Sequence, residues 1–300
     1  MITYMMLEDC SWTVPAQMDG HPVTGLGDLA VEHRCPDPNC FGVDVFIPDA
    51  VTRFSGKSFW NINLVTVSAD HPTLALIDHV LYSKSDKTLL CCPEVLPTGA
   101  FFQNLVIPHG IRTIGAYSCC PIESVQIPDT VASIGEGAFT GSNLTEVVIP
   151  DSVMSLGVPG ARHNNDRARM ISVTWGVGAE TAEMLAAREK GVFSNNWSLT
   201  SVTLGSGLKE IPSHTFFGCY SLPSIVIPEG VTSIGEYAFA NCSSLSSVVL
   251  PASISDIADN AFEGCPAVAF TVARNSYAAQ WCKSKNYTYT YTDANDWLLD

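Results

Sequence analysis

One phrase recurs along the chain, and its period limits what the chain can fold into. SLPSIVIPEGVTSIGEYAFANC is followed by SLSSVVLPASISDIADNAFEGC and preceded by SLTSVTLGSGLKEIPSHTFFGC. Phe216, Phe239 and Phe262 lie 23 residues apart, as do Cys219, Cys242 and Cys265. Upstream, PIESVQIPDTVASIGEGAFTGS and NLTEVVIPDSVMSLG repeat the phrase, with Pro108, Pro128 and Pro150 spaced by 20 and 22. Weaker copies start at Val43 (VDVFIPDAVTRFSGKSF) and at Trp12 (WTVPAQMDGHPVTGLG). A unit this short cannot bury its own apolar face, so copies must stack and share a core.

The spacing inside the phrase, L-x-x-I-x-I-P-x-x-V-x-x-I-x-x-x-A-F, has a mechanical meaning. Apolar residues alternate within I-x-I, so Ile225 and Ile227 turn to one face of a short strand while Ser224 and Val226 turn to the other. Proline ends the strand because it has no N–H for a ladder. The V-x-x-I step turns the chain, and the A-F pair plugs the interior. Stacking then aligns Leu105 with Val125, Val147, Val202, Ile225, Val248 and Phe270 in one inward ladder, and Ile107 with Ile127, Ile149, Leu204, Ile227, Leu250 and Val272 in a second. Each buried rung contributes roughly 1.5–3 kcal/mol.

The pattern over residues 222–242 resembles the BspA-like leucine-rich-repeat family. The segment VSADHPTLALIDHVLYSKSDKTLLCCPE also resembles a hairpin unit of that family, and ARNSYAAQWCKSKNYTYTYTD its C-terminal closing segment. The resemblance implies an α/β leucine-rich-repeat solenoid, right-handed, with a parallel sheet of short strands and little helix; about eight turns can be counted. On this reading residues 1–293 form one solenoid. Residues 1–13 cap its N-terminal end, 67–100 form a hairpin-like insert, 157–190 an inserted lobe, 273–293 a C-terminal cap and 294–300 a tail. A short helix is expected over Ser276 to Lys285, with Tyr277 and Trp281 facing inward, followed by a strand carrying Tyr287, Tyr289 and Tyr291. Two departures stand out: Gly205 replaces the strand-ending proline, and Cys119 takes the slot of the plug phenylalanine.

Composition narrows the function classes. The chain is 46% hydrophobic with 15 basic against 30 acidic side chains, a net charge of −15. Such an acid excess repels polyphosphate and anionic membrane, which disfavours nucleic-acid partners. No apolar run is long enough to insert in a membrane. The resemblance implies a bacterial protein at the cell surface or secreted. The first basic residue is Arg34, so no positively charged leader is visible at the N-terminus, and a cytoplasmic location stays open.

Two surfaces are candidates for partner binding. Outward strand positions alternate with the buried ladders and form a stripe of small hydroxyl and β-branched side chains, with Gln126, Val148, Thr203, Val226 and Val249 as its candidate contacts; aromatic anchors are lacking along it. The second surface is the insert, where Arg162, Arg167 and Arg169 cluster near Trp175 in a chain otherwise poor in arginine. Arginine and tryptophan are enriched at binding hot spots. The insert can equally be a surface excursion that only covers the flank. It continues with a short strand in MISVTWGVG and a helix over AETAEMLAAREKG.

No catalytic constellation is visible. The histidines at 21, 33, 71, 79, 109, 163 and 214 are scattered, and G-x-S-x-G, P-loop, G-x-G-x-x-G and H-E-x-x-H motifs are absent. Cys219, Cys242 and Cys265 share one repeat slot and read as a buried column of small apolar side chains, with a disulfide between neighbouring rungs as the alternative. HRCPDPNC has some look of a zinc knuckle but lacks a second C-x-x-C half; a Cys35–Cys40 disulfide is the stronger reading in an exported chain. One of each pair Cys91–Cys92 and Cys119–Cys120 is expected to face the core. No metal and no cofactor are called for. The function expected is a non-catalytic scaffold binding a protein or glycoprotein partner through the sheet face, as in adhesion or surface recognition. A structural spacer without a ligand site is the alternative, and an enzyme using residues 157–190 the residual one. Oligomeric state and ligand identity are not legible.

Overall fold

The computed structural model describes residues 6–7, 11–27, 32–33, 43–54, 62–93, 96–98, 100–119, 122–158 and 191–292. They wind into a β-solenoid of about nine turns with one short helix. Face strands at Asn104–Val106, Ser124–Gln126, Glu146–Val148, Ser201–Thr203, Ser224–Val226, Ser247–Val249 and Ala269–Val272 follow each other in parallel. Their register is the one the repeat demands: Leu105 sits opposite Val125, Val147 opposite Val202, and Ile225 opposite Val248 and then Phe270. Most rungs of both ladders are buried, while Val125, Ile127 and Val202 are partly covered and pack on the same core.

Ile62–Val67 is a further face strand beyond the copies visible in the sequence, parallel to Val43–Ile47, which in turn pairs with Ser11–Thr13. Ser68 stands where proline normally follows, and the hairpin begins directly after it. Ser11–Thr13, assigned to the cap from sequence, is thus the first face strand.

The P-x-x-V spacing is a β-turn. The proline carbonyl accepts the N–H of the residue three further on, as in Pro48 to Val51 (2.9 Å), Pro128 to Val131 (3.1 Å), Pro150 to Val153 (3.0 Å) and Pro228 to Val231 (3.3 Å). Strands of two to four residues follow it in two further parallel runs, Thr113–Ile114, Ser133–Gly135 and Ser155–Val158 in one sheet and Glu210–Ile211, Ser233–Ile234 and Asp256–Ile257 in another. Gly205 departs from proline because the backbone there presses on the neighbouring coil: a Cβ would overlap the Pro150 carbonyl.

Plug phenylalanines form one continuous column. Phe139, Phe193, Phe216, Phe239 and Phe262 stack with ring centroids 5.4, 5.4, 5.3 and 5.2 Å apart and rings within 12° of parallel. Such pairs are worth about 0.5–1.5 kcal/mol each beyond the area they bury. Phe139 and Phe193 are consecutive rungs although residues 159–190 lie between them. The Phe139 N–H donates to Val192 O (2.9 Å) and Gly141 N–H to Ser194 O (2.9 Å). The insertion therefore interrupts the chain without interrupting the core. Beside the column, Asn195, Gly218, Asn241 and Gly264 occupy one slot with positive φ. Asparagine and glycine alternate because the Asn241 side-chain oxygen fills the space a Cβ on Gly264 would need.

The hairpin comprises Leu74–Ile77, Val80–Ser83 and Thr88–Cys91, antiparallel to one another, and Thr88–Cys91 continues in parallel onto Thr113–Ile114. Both its faces are covered. Val80, Tyr82, Leu89 and Cys92 belong to the larger core running to Cys282, whereas Leu74, Leu81 and Cys91 belong to a smaller core with Val14, Val23, Leu26, Val45, Ile47, Val51 and Val65. Cys91 and Cys92 are accordingly both buried, on opposite sides, where one of the two was expected to face the core. Adjacent strand residues point oppositely, and here both directions lead into an interior.

At the C-terminal end, the helix Tyr277–Ser284 starts at Ser276, whose hydroxyl accepts the Ala279 N–H (3.1 Å). Trp281 is buried against Phe262 and Phe270, but Tyr277 is 38% exposed, contrary to its expected inward position. The buried stripe is centred on Ala278 and Cys282, four residues apart, which leaves Tyr277 at the rim of the first turn. Thr288–Tyr291 pairs with Ala269–Val272, and Tyr287, Tyr289 and Tyr291 pack on the core, with Arg274 4.5 Å above the Tyr291 ring.

Candidate binding surface

The face strands put every second side chain into solvent. Val106, Val148 and Val226 are 60%, 59% and 61% exposed, an unusual setting for valine. Gln126 and Thr203 are exposed in the same row and Val249 is half-covered. Strand pairing places Val106 beside Gln126, Val148 beside Thr203, and Val226 beside Val249. The parallel row one pleat away carries Asn104, Ser124, Glu146, Ser201, Ser224 and Ser247, tied in part by a Ser124 hydroxyl donating to Asn104 Oδ1 (2.7 Å). Over the six strands from Asn104 to Val249 Glu146 is the one charged side chain in these two rows, and Asp44 is the charged member of the strand Val43–Ile47, in a protein carrying −15. The sequence-derived residues Gln126, Val148, Thr203, Val226 and Val249 thus lie together on one surface. Arg162, Arg167, Arg169 and Trp175 lie outside the described residues, as do the strand and helix expected in residues 170–190.

Exposed aromatics near the face escaped the sequence reading, among them Phe101, 56% exposed three residues before Asn104–Val106. Phe46, 40% exposed, occupies the strand position equivalent to Val226, with Thr13 and Thr66 on either side. The match of VFIP with IVIP could have found it. Trp197 (49%) and Tyr220 (40%) each follow the plug phenylalanine by four residues and precede the face strands Ser201–Thr203 and Ser224–Val226 by four. Ser243 and Pro266 hold that slot in the next two copies, so no periodic signal marked it.

The remaining chemistry-bearing groups are structural. His71 is fully buried: Nδ1 accepts the N–H groups of Thr73 (3.3 Å) and Leu74 (3.1 Å), which leaves Nε2 to donate to Pro48 O (3.3 Å). It ties the hairpin to the coil before it. The cysteine column is more than apolar filling. Cys219, Cys242 and Cys265 donate their thiols to the carbonyls of Phe193 (3.3 Å), Phe216 (3.2 Å) and Phe239 (3.1 Å) in the preceding coil. Asn196 takes the same slot one coil earlier and donates to Phe139 O (2.8 Å). Burial pushes the Cys219 thiol up to about 12, so it stays protonated and unreactive at neutral pH. Among the described residues no three His, Cys, Asp or Glu side chains converge as metal ligands, and no helix is long and apolar enough to cross a membrane. Cys35, Cys40 and Cys120 lie outside the described residues.

Residues 98–159 and 182–279 match the BspA type leucine rich repeat region in six copies. A leucine-rich repeat protein from Eubacterium ventriosum is similar in structure, with TM-score 0.60 and 20% identity over 85% of this chain and 64% of that one. The pneumococcal vaccine antigen PcpA matches with TM-score 0.51 and 14% identity over 91% of this chain and 60% of that one. The chain spans under two thirds of the length of both. At these identities the likeness is one of fold. No curated protein sequence matches the chain.

Proposed function

Because the chain belongs to the BspA-type leucine-rich-repeat family, whose repeats are generally non-catalytic, we propose that it is a binding scaffold that engages a protein or glycoprotein partner through its sheet face, in adhesion or surface recognition. The observation that carries this reading is the row of valines left about 60% exposed in register along a face almost free of charge. Burying each against a partner yields about 25 cal/mol per Å² of apolar surface, and no charge has to be desolvated along most of the face. Phe46, Trp197 and Tyr220 supply the larger side chains that hot spots need. Contact through such a face depends weakly on salt.

The immobilised chain is offered to extracts of bacterial and host cell surfaces beside a Val148→Arg, Val226→Arg double variant. A Met154→Arg variant serves as control, since Met154 is 57% exposed away from the face strands. The double variant should lose at least tenfold of the captured partner and the control should keep it. Capture unchanged by the face variant but abolished by deleting residues 159–190 would move the site to the inserted segment. Capture of nothing by any form would favour a spacer.

A further inference from the structure

The phenylalanine column stops at Phe139, and one coil earlier its slot holds Cys119. That sulfur meets another: Cys92, at the end of the hairpin, donates its thiol to Cys119 Sγ at 3.4 Å. Both residues are buried. Their backbones are held by main-chain hydrogen bonds just beyond the paired strands, Cys92 N–H on Ser118 O (2.7 Å) and Cys119 N–H on Ala138 O (3.1 Å); in the sheet beside them Leu89 is in register with Ile114. A disulfide needs Cα atoms within about 7 Å, and the main-chain hydrogen bond from Cys92 to the residue before Cys119 brings the two backbones side by side. Drawing the sulfurs from 3.4 Å to about 2.05 Å asks roughly 1.35 Å of approach. In the other column Cys219, Cys242 and Cys265 each donate their thiol to a main-chain carbonyl, and Cys242 and Cys265 also interact side chain to side chain.

We propose that Cys92 and Cys119 form a cross-linking site that closes to a disulfide when the folding chain meets a small disulfide or the oxidised dithiol of a thiol–disulfide oxidoreductase. The thiolate of one cysteine attacks the donor disulfide and expels one donor sulfur as a thiolate. The second cysteine, deprotonated in turn, attacks the mixed disulfide and expels the other. The chain loses two electrons and two protons, and the donor leaves as two thiols. Burial of both sulfurs keeps a bulky donor away from the finished fold, so the bond closes during folding and is then shielded from reductants. Once closed, it staples the end of the hairpin to the neighbouring coil within the larger core. This does not depend on what the sheet face binds.

The test refolds the full chain from denaturant in a mixture of reduced and oxidised glutathione. Remaining thiols are alkylated and the peptides mapped by mass. The expected product joins the peptides of Cys92 and Cys119, while Cys219 and Cys242 are alkylated only after denaturation. Relative to the reduced chain, the cross-linked one should melt about 4–8 °C higher, as loop closure of this length predicts. The gain should vanish in Cys119→Ser and Cys92→Ala. Recovery of Cys92 alkylated, or joined to any other cysteine, overturns the proposal on the unaltered chain without recourse to a variant. So does a cross-linked chain that melts no higher than the reduced one.

Discussion

The hairpin separates two interiors that obey the same repeat to different degrees. After it, the coils up to Asp256–Ile257 each have a face strand and a second strand, the plug slot holds Cys119 in the first and phenylalanine thereafter, and five stacked rings run through the core. Before it, the buried members among the described residues are aliphatic except for Cys91, and the rings of Trp12 and Phe54 are only partly buried. The face strands continue through both: Val43–Ile47 pairs in parallel with Ile62–Val67, with one register shift at Val43/Asp44, as Ser224–Val226 pairs in parallel with Ser247–Val249. A sheet face needs only alternation, which short copies can keep; a core needs a plug of fixed size in a fixed slot. The scaffold is therefore uniform where it meets solvent and uneven where it is held together.

The largest effect that could break this comparison comes from the column. Phe216→Ala removes a ring stacked on both sides and should cost about 3–5 kcal/mol. In a repeat stack, coupling runs between neighbours. Hydrogen exchange should therefore quicken over residues 191–265 and little over 11–67. Equal loss of protection upstream would mean that the hairpin transmits cooperativity and that the two interiors act as one. The seam itself is probed by His71→Ala, which strips partners from the N–H groups of Thr73 and Leu74 and from the Pro48 carbonyl. Roughly 2–3 kcal/mol is expected, with exchange rising over residues 43–77 and the phenylalanine column unaffected. Exchange rising instead at residues 191–265 would place His71 in the larger unit.

Much of this was readable in the residues because the signal was repetition. The ladder Leu105 to Phe270, its register and the outward row of Val148 and Val226 all follow from a period of about 20–23 and an alternation of two. Legibility failed where one position broke the phrase. Ser68 in place of proline hid the strand Ile62–Val67. The two-sided burial of Cys91 and Cys92 needed the knowledge that the hairpin lies between cores, which no local pattern carries. The thiol bonds to phenylalanine carbonyls were hidden for a similar reason, since donor and acceptor are 26 positions apart and belong to different copies.

The smallest effect sharpens the comparison at a single turn. Asp49 and Asp151 both follow the strand-ending proline, but Asp49 takes its hydrogen bond from the Ser68 hydroxyl while Asp151 Oδ1 takes one from the Ser206 backbone N–H at 2.7 Å. That N–H is available because the neighbouring coil has Gly205 and Ser206 where other copies have Pro-x. The bond from the Ser206 N–H, and then one from its side chain, hold the Asp151 carboxyl below its usual 3.8. A carboxyl with a lowered folded value adds stability above the unfolded value and loses it as pH falls through the folded one. Asp151→Asn should consequently melt slightly below the wild type at neutral pH, by less than either variant above, because the carboxylate is fully solvated. The two melting curves should converge once the pH drops below 3.8 and the wild-type carboxyl takes up its proton. A gap that persists unchanged at lower pH would assign the turn's contribution to shape instead of charge, and would make the Gly205 departure a matter of close packing alone.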